Sequence, residues 1–427
     1  MQKILSRDSI KPSSPTPPHL RFFKLSLLDQ LAPRMYTPLL YLYPKDNTPS
    51  LDDASKSLRL KASLSEILTS YYPFAGRLTE DRLSIECNDE GIEFWEAQIA
   101  CEISEIIKKP EGEALDLLFR PGIAYSSSYS GSLVVVQVSF FDCGGTAISV
   151  CITHKIADGS SICAFMNDWA AQAIQSREKV SPVYIAKSIS YSPNEPISVP
   201  EILLQEGTCR TKRFSFDASK IDKLRATAKS SQVQSPTRVE AVTGLIYGCL
   251  IATSMAKSGI SRPSILIQLV NMRPRVVPPL PEGSIGNFTW YFTIVTGNER
   301  VMMKSLVGDL RKGLEQLCDK NENDLRVNEW VSAIHVGMKE VKTLFDDLEV
   351  YRCSSFCSFP FYEADFGWGR PALVRMARNV VKNVFVLIGT KEDGGIDAWV
   401  TLEEQDMAVF QNEVALAFDS LDPVASI

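Results

Sequence analysis

The sequence predicts a mixed α/β protein built in two halves, and three observations carry that expectation. A chain of 427 residues is longer than one hydrophobic core usually grows, since cores stop enlarging at about 250–300 residues. On both sides of the middle, β-branched runs alternate with segments of helical spacing. Between them, 181–212 carries Pro182, Pro193, Pro196 and Pro200 and no sustained periodicity, which reads as an interdomain crossover. The expected division is therefore 1–180, the crossover 181–212, and 213–427.

Taken in order, the prolines of 11–18 predict an ordered arm running extended over the surface, ahead of an apolar strand beginning near Leu25. The run LLYLYP at Leu39–Pro44 predicts a strand, and Leu51–Tyr72 a helix that Pro73 stops. LSIECND and GIEFWEAQIA flank an N-D-E-G turn, which predicts a β-hairpin. The clearest signal is at 131–175. Leu133–Phe140 and Thr146–Thr153 are β-branched-rich runs joined by Asp142-Cys143-Gly144-Gly145, a hairpin pattern. Beyond them Ile162, Phe165, Met166 and Trp169 recur at helical spacing. The second half alternates in the same way, with a strand at Arg213–Phe216, helices from about Ser219 and Arg238, and a capping box of Thr237 with Glu240. Strands are expected at Ser264–Val270, Phe288–Thr296 and Val384–Ile388. The last pairs through Asp393-Gly394-Gly395 with Ile396–Thr401, before a terminal helix from about Gln405.

Composition removes several function classes. Hydrophobic residues make up 45% and charged residues 22%, ordinary globular values that argue against disorder. A net charge of -6, with Lys and Arg scattered, supplies no basic stripe for nucleic acid. No apolar run approaches the roughly 20 residues that span a bilayer, so no membrane partner is expected. Ten cysteines at irregular spacings predict free thiols in a reducing cytoplasm. Cys353 and Cys357 match neither a zinc nor a redox spacing, so no metal is expected. The glycine-x-serine-x-glycine elbow and the glycine-rich nucleotide fingerprints are absent.

Of the three histidines, His19 lies in the proline arm and His335 in the middle of a helical segment. His154 is different, because it ends an apolar strand and precedes the polar Asp158-Gly159-Ser160-Ser161, as expected where a side chain meets a cleft. The plain alternative is a rim histidine followed by an aspartate that caps the next helix.

His154-Lys155-Ile156-Ala157-Asp158-Gly159 resembles the HxxxDG motif of the plant BAHD acyltransferases, and Asp365-Phe366-Gly367-Trp368-Gly369 resembles their DFGWG motif. YPFAGR at Tyr72–Arg77 and FDCGGTAI at Phe141–Ile148 strengthen the likeness. KPSSPTPP at Lys11–Pro18, LSLLDQ at Leu25–Gln30, THKIAD and VNMRPR at Val270–Arg275 point to the alkaloid-type acetyltransferases of that family. The resemblance covers essentially the whole chain. It implies two chloramphenicol-acetyltransferase-like domains with a solvent channel between them, and His154 facing the channel as general base. It also implies a monomer that transfers an acyl group from acetyl-CoA, used as co-substrate with no permanently bound cofactor, to a small-molecule alcohol.

By the same resemblance Asp158 points away from the channel and pairs with Arg273, while Asp365, Gly367 and Trp368 support the site structurally. Thr237 and Arg238, at a helix N-terminus suited to phosphate, would contact the CoA. Two departures bear on the acceptor. The arginine that hydroxycinnamoyl transferases use as a carboxylate handle is here Ser358, and the malonyl transferase signature YFGNC reads SIGNF at Ser284–Phe288. A neutral or cationic alkaloid or terpenoid hydroxyl is the expected acceptor. A volatile-ester-forming alcohol acyltransferase and a non-catalytic accessory protein on the same fold are the alternatives.

Overall fold

The computed structural model describes residues 2–45, 51–111, 113–123, 131–175, 181–187, 207–260, 262–281, 283–297, 301–318, 348–377, 381–392 and 394–419. His335, Asp393 and most of the 181–212 crossover lie outside them. The first half runs β1 (Gln2–Ile10), β2 (Phe22–Lys24), α1 (Leu27–Leu31), β3 (Tyr36–Tyr43), α2 (Asp53–Leu68), β4 (Arg77–Leu78), β5 (Ser84–Glu86), β6 (Ile92–Ile99) and α3 (Ile103–Lys108). It continues with β7 (Val134–Phe141), β8 (Thr146–Thr153), α4 (Gly159–Ala173) and β9 (Val183–Tyr184). The second half opens with β10 (Cys209–Phe216), α5 (Ala218–Ala228), α6 (Arg238–Ser258), β11 (Ser264–Asn271), β12 (Ser284–Ile285), β13 (Thr289–Thr296) and α7 (Met303–Leu317). It ends with β14 (Glu349–Ser355), β15 (Leu373–Met376), β16 (Val384–Gly389), β17 (Ile396–Glu403) and α8 (Glu404–Asp419).

Two six-stranded sheets organise these elements, β1-β6-β7-β8-β3-β15 and β10-β17-β16-β14-β11-β13. The mixed α/β class read from the sequence is what the chain adopts. β7 and β8 form the expected antiparallel hairpin, with Val138 opposite Ile148. Every residue of both is buried. Strands covered on both faces read as continuous apolar runs, which makes this pair plain in the sequence. β15 pairs antiparallel with β3, so the first sheet takes one strand from far beyond the crossover.

Four expectations need correcting. LSIECND and GIEFWEAQIA do not pair with each other: β5 pairs with β2 and β4, and β6 with β1 and β7. The turn sends the chain into another sheet instead of back on itself, through Asp89 at φ 55° and Gly91 at φ 92°. A side chain at Gly91 would meet the Ile10 carbonyl at 2.5 Å. No strand begins at Leu25, because Ser26 and Asp29 form a capping box that starts α1. The helix expected to Tyr72 stops at Leu68, and Tyr72–Ala75 is a 3₁₀ turn. Finally, α6 is 21 residues and apolar enough, by length and composition, to cross a membrane. Here it is the core helix of the second half, packed against α5, α7 and α8.

The proline arm crosses the surface pinned by hydrogen bonds, Ser13 N to Ser65 O at 2.8 Å and Thr16 to the Asp89 carboxylate at 2.8 and 2.6 Å. β1, an edge strand with mostly exposed residues, has no apolar pattern to announce it.

The DFGWG segment joins the first core. Phe366 is fully buried and packs edge-on against Trp169 and Tyr43, at 4.9 and 6.2 Å between ring centroids. Phe366→Ala should therefore cost about 3–5 kcal/mol of stability. Urea unfolding checks this, and a loss below about 1 kcal/mol would show that the ring is not part of the core.

Candidate active site

β8 ends at Thr153, and α4 begins at Gly159 with Asp158 as its N-cap. The connecting turn presents His154, whose amide is held by the Met35 carbonyl at 2.9 Å. Its neighbours Thr153, Lys155, Ile156, Ala157 and Asp158 are buried, while His154 itself is partly exposed. Burial of the neighbours fixes the turn, so the ring is aimed by packing.

The ring nitrogen Nδ1 lies 3.0 Å from Asn287 Oδ1, and Asn287 Nδ2 donates to the His154 carbonyl at 2.7 Å. The second contact settles the amide's orientation, because a carbonyl can only accept. Asn287 Oδ1 then accepts from Nδ1, the proton resides on Nδ1, and Nε2 carries the free lone pair. Burial lowers the His154 pKa below the ordinary value; the Asp158 charge, the residue's own carbonyl and Asn287 oppose that shift without cancelling it. The ring is thus neutral, and able to accept a proton, in neutral solution.

Asp158 does not turn toward the imidazole. Arg273 Nη1 and Nη2 donate to its two oxygens at 2.8 and 3.0 Å, with side-chain exposures of only 1% for Arg273 and 3% for Asp158. Ser161 N and Oγ, Phe288 N and Thr289 Oγ1 donate to the same carboxylate at 3.0–3.1 Å. Burial pushes the Asp158 pKa up, but the Arg273 charge and these donors bring it below the ordinary carboxylate value. Arg273 spends its remaining hydrogens on Ser284 O, Gly286 O, Asn271 Oδ1 and Ser161 Oγ, at 2.9–3.2 Å. The pair bridges the turn at the start of α4 to the segment around β12. Gly159 permits this geometry, since a Cβ there would sit 2.6 Å from the Phe356 ring.

The other candidate residues lie elsewhere. Asp365 Oδ1 accepts from Gly367 N and Gly369 N at 2.7 and 3.0 Å, and both glycines have φ near +100° (100° and 93°). The bend presses Trp368, 7% exposed, onto Phe366, with the Lys56 ammonium 5.7 Å from the indole. Thr237 and Arg238 are exposed at the start of α6. There Glu240 closes the capping box and receives Arg311 at 2.6 and 2.8 Å. His19 is exposed in a 3₁₀ turn. The ten cysteines are free thiols, and no group of three or more potential metal ligands occurs among the described residues. Asn287 is the site residue that residue types alone do not reveal, since SIGNF stands out in the sequence only as a departure from another signature.

The chain matches the family model described as "Transferase family" over residues 2–417. It is 39% identical to a 17,18-epoxy-17-hydroxycur-19-ene N-malonyltransferase of Strychnos nux-vomica, over 98% of this chain and 90% of that protein. Identity to stemmadenine O-acetyltransferase of Catharanthus roseus is 35%, over 98% of both. Among solved structures, vinorine synthase superposes with a TM-score of 0.83 at 33% identity, covering 96% of each chain. Fold, site and relatives together define an acyltransferase. The chain belongs to the plant BAHD acyltransferase family.

The Asp158–Arg273 pair makes a direct prediction. Asp158→Ala and Arg273→Ala should each cost about 3–5 kcal/mol, because each strands a buried charge. The double variant should cost much less than their sum. Melting temperatures of the three variants check this, and simple additivity would remove the pair from its structural role.

Proposed function

We propose that the protein transfers an acetyl group from acetyl-CoA to a hydroxyl of a neutral or cationic alkaloid or terpenoid, with His154 as general base. The observation that carries the reading is the His154–Asn287 hydrogen bond, which leaves Nε2 as a lone pair on a partly exposed ring. An alcohol is a poor nucleophile until its proton is taken, and a neutral imidazole can take it during attack on the thioester carbonyl. The tetrahedral intermediate then expels the CoA thiolate, the imidazolium returns its proton to the sulfur, and ester and CoA thiol leave.

Both substrates are held together in this mechanism, so attack becomes effectively intramolecular. Burial raises the pKa of the Cys151, Cys163, Cys249 and Cys353 thiols, which argues against any of them as an acyl-accepting nucleophile. The choice of acetyl follows the O-acetyltransferase relative and the alkaloid-type motifs. The N-malonyltransferase relative makes malonyl-CoA the comparison donor. Ser358 in place of a carboxylate-binding arginine favours an acceptor without a carboxylate. Thr237 and Arg238, at the N-terminus of α6, are our assignment for the CoA phosphates. Ten free thiols favour a cytoplasmic enzyme, and we take it to act as a monomer, with 181–212 as the crossover between its halves and the substrates meeting in a channel between them.

His154→Ala should lower turnover about 10²- to 10⁴-fold without unfolding the protein. Retention of more than about a tenth of wild-type turnover would remove His154 as base. Because the active form is neutral and its pKa is lowered, kcat/KM should rise with pH, with a midpoint below about 6.5, and stay flat above it. A midpoint above that value contradicts the reading. Intact mass after incubation with acetyl-CoA alone should be unchanged, and an increment discharged by an alcohol would indicate an acyl-enzyme. Product mass with acetyl-CoA against malonyl-CoA, in an extract containing alkaloids and terpenoids, tests the donor.

A further inference from the structure

Asp29 is a buried carboxylate, 1% exposed, that the mechanism above does not use. Its local task is half of the α1 capping box: Oδ2 accepts from Ser26 N at 3.0 Å and Ser26 Oγ at 2.7 Å. That task occupies one oxygen. The other, Oδ1, reaches into the second half of the chain and accepts from Asn287 N and Asn287 Nδ2, both at 2.9 Å. A helix cap alone has no need of these two bonds.

The two hydrogens of Asn287 Nδ2 therefore go to Asp29 Oδ1 and to the His154 carbonyl. Were the amide flipped, its oxygen would face two acceptors, one of them a carboxylate. Its nitrogen would then face His154 Nδ1, which could only accept. The imidazole proton would move to Nε2, and the lone pair needed for proton abstraction would be lost. We propose that Asp29 is a positioning residue: through Asn287 it locks the His154 tautomer that keeps Nε2 free. This rests on His154 being the base.

Position 29 suits a carboxylate: burial raises its pKa, and the hydrogen bonds from Ser26 and Asn287 oppose that shift. Each of its oxygens receives one main-chain N–H, from Ser26 on one side and Asn287 on the other, and neither can rotate away. An asparagine would turn its NH₂ against one of them. Lys155, the residue after the histidine, adds a second tie by donating to the Asp29 and Gln30 carbonyls at 3.4 and 2.7 Å. α1 thus braces the His154 turn from two directions.

The test is ¹⁵N NMR of the three imidazoles at pH 8, with His154 assigned from the His154→Ala spectrum, alongside steady-state kinetics with acetyl-CoA. Wild type should show the Nδ1–H tautomer. Asp29→Asn should lose that preference and at least about tenfold in kcat, with the KM for acetyl-CoA moving by less than about threefold. Ser26→Ala, which removes one donor to Asp29 Oδ2 and leaves both Asn287 bonds to Oδ1 in place, should lower the melting temperature and leave the tautomer as in wild type. In an Asn287→Ala background, Asp29→Asn should cost under about twofold more.

An Nε2–H tautomer in wild type overturns the proposal, as does unchanged kcat in Asp29→Asn or full additivity with Asn287→Ala. Should Asp29→Asn fail to fold, Asn287→Ala decides: retention of the tautomer and of wild-type turnover refutes the relay. Activity in His154→Ala would instead overturn the base assignment, and the spectra would still report separately on the relay.

Discussion

The site depends on the buried pair between Asp158 and Arg273. Taking two charges out of water is expensive, and the attraction between them offsets that cost only when the remaining hydrogen-bonding capacity is also met. Here it is met on both sides. The carboxylate accepts from Arg273, Ser161, Phe288 and Thr289, and the guanidinium also reaches Ser284, Gly286 and Asn271. A fully satisfied network of this kind holds one arrangement and penalises every shifted one. The arrangement it holds sets the turn carrying His154 against the segment carrying Asn287.

This explains why the aspartate four residues after the histidine is not its orienting partner. Had Asp158 accepted from Nδ1, a full negative charge would sit on the ring and draw its pKa upward. With Arg273 neutralising Asp158, and the amide of Asn287 in the orienting position, burial prevails and the imidazole pKa falls. The motif spaces the two residues so that one is partly exposed and the other faces the protein: His154 follows a strand, and Asp158 caps the helix that comes next.

Periodicity finds the elements that are buried on both faces, and it finds the His154 turn because β7, β8 and α4 surround it. It fails where pairing partners are distant. The N-D-E-G turn carries a hairpin's chemistry, yet β5 and β6 go to different sheets, a choice made by β1 and β2 far upstream. The S-x-x-D capping signal at Ser26 and Asp29 is legible, but the leucines around it give the segment the look of an apolar strand. Asp158 and Arg273 can be paired only through the family likeness, since no local rule links residues 115 apart in the chain. Asn287 has no signal of its own: an asparagine between Gly286 and Phe288 reads as a turn residue until the fold places it against the histidine.

The two halves are therefore not independent carriers of the site. His154 and Asp29 come from the first, and Asn287 and Arg273 from the second, while β15 of the second half completes the sheet of the first. Proton transfer tolerates displacements of only about 0.5 Å. A site shared between two bodies can meet that tolerance only if the bodies are joined by more than a linker. Three of the joints between them are a strand pairing at β3 and β15, an aromatic anchor at Phe366, and the ion pair beneath the histidine. Each uses a different force, namely main-chain hydrogen bonds, apolar burial and compensated charge. A substitution that removes one of them, such as loss of the Asp158–Arg273 pair, leaves the other two in place, so under the proposed mechanism proton transfer fails before the halves separate.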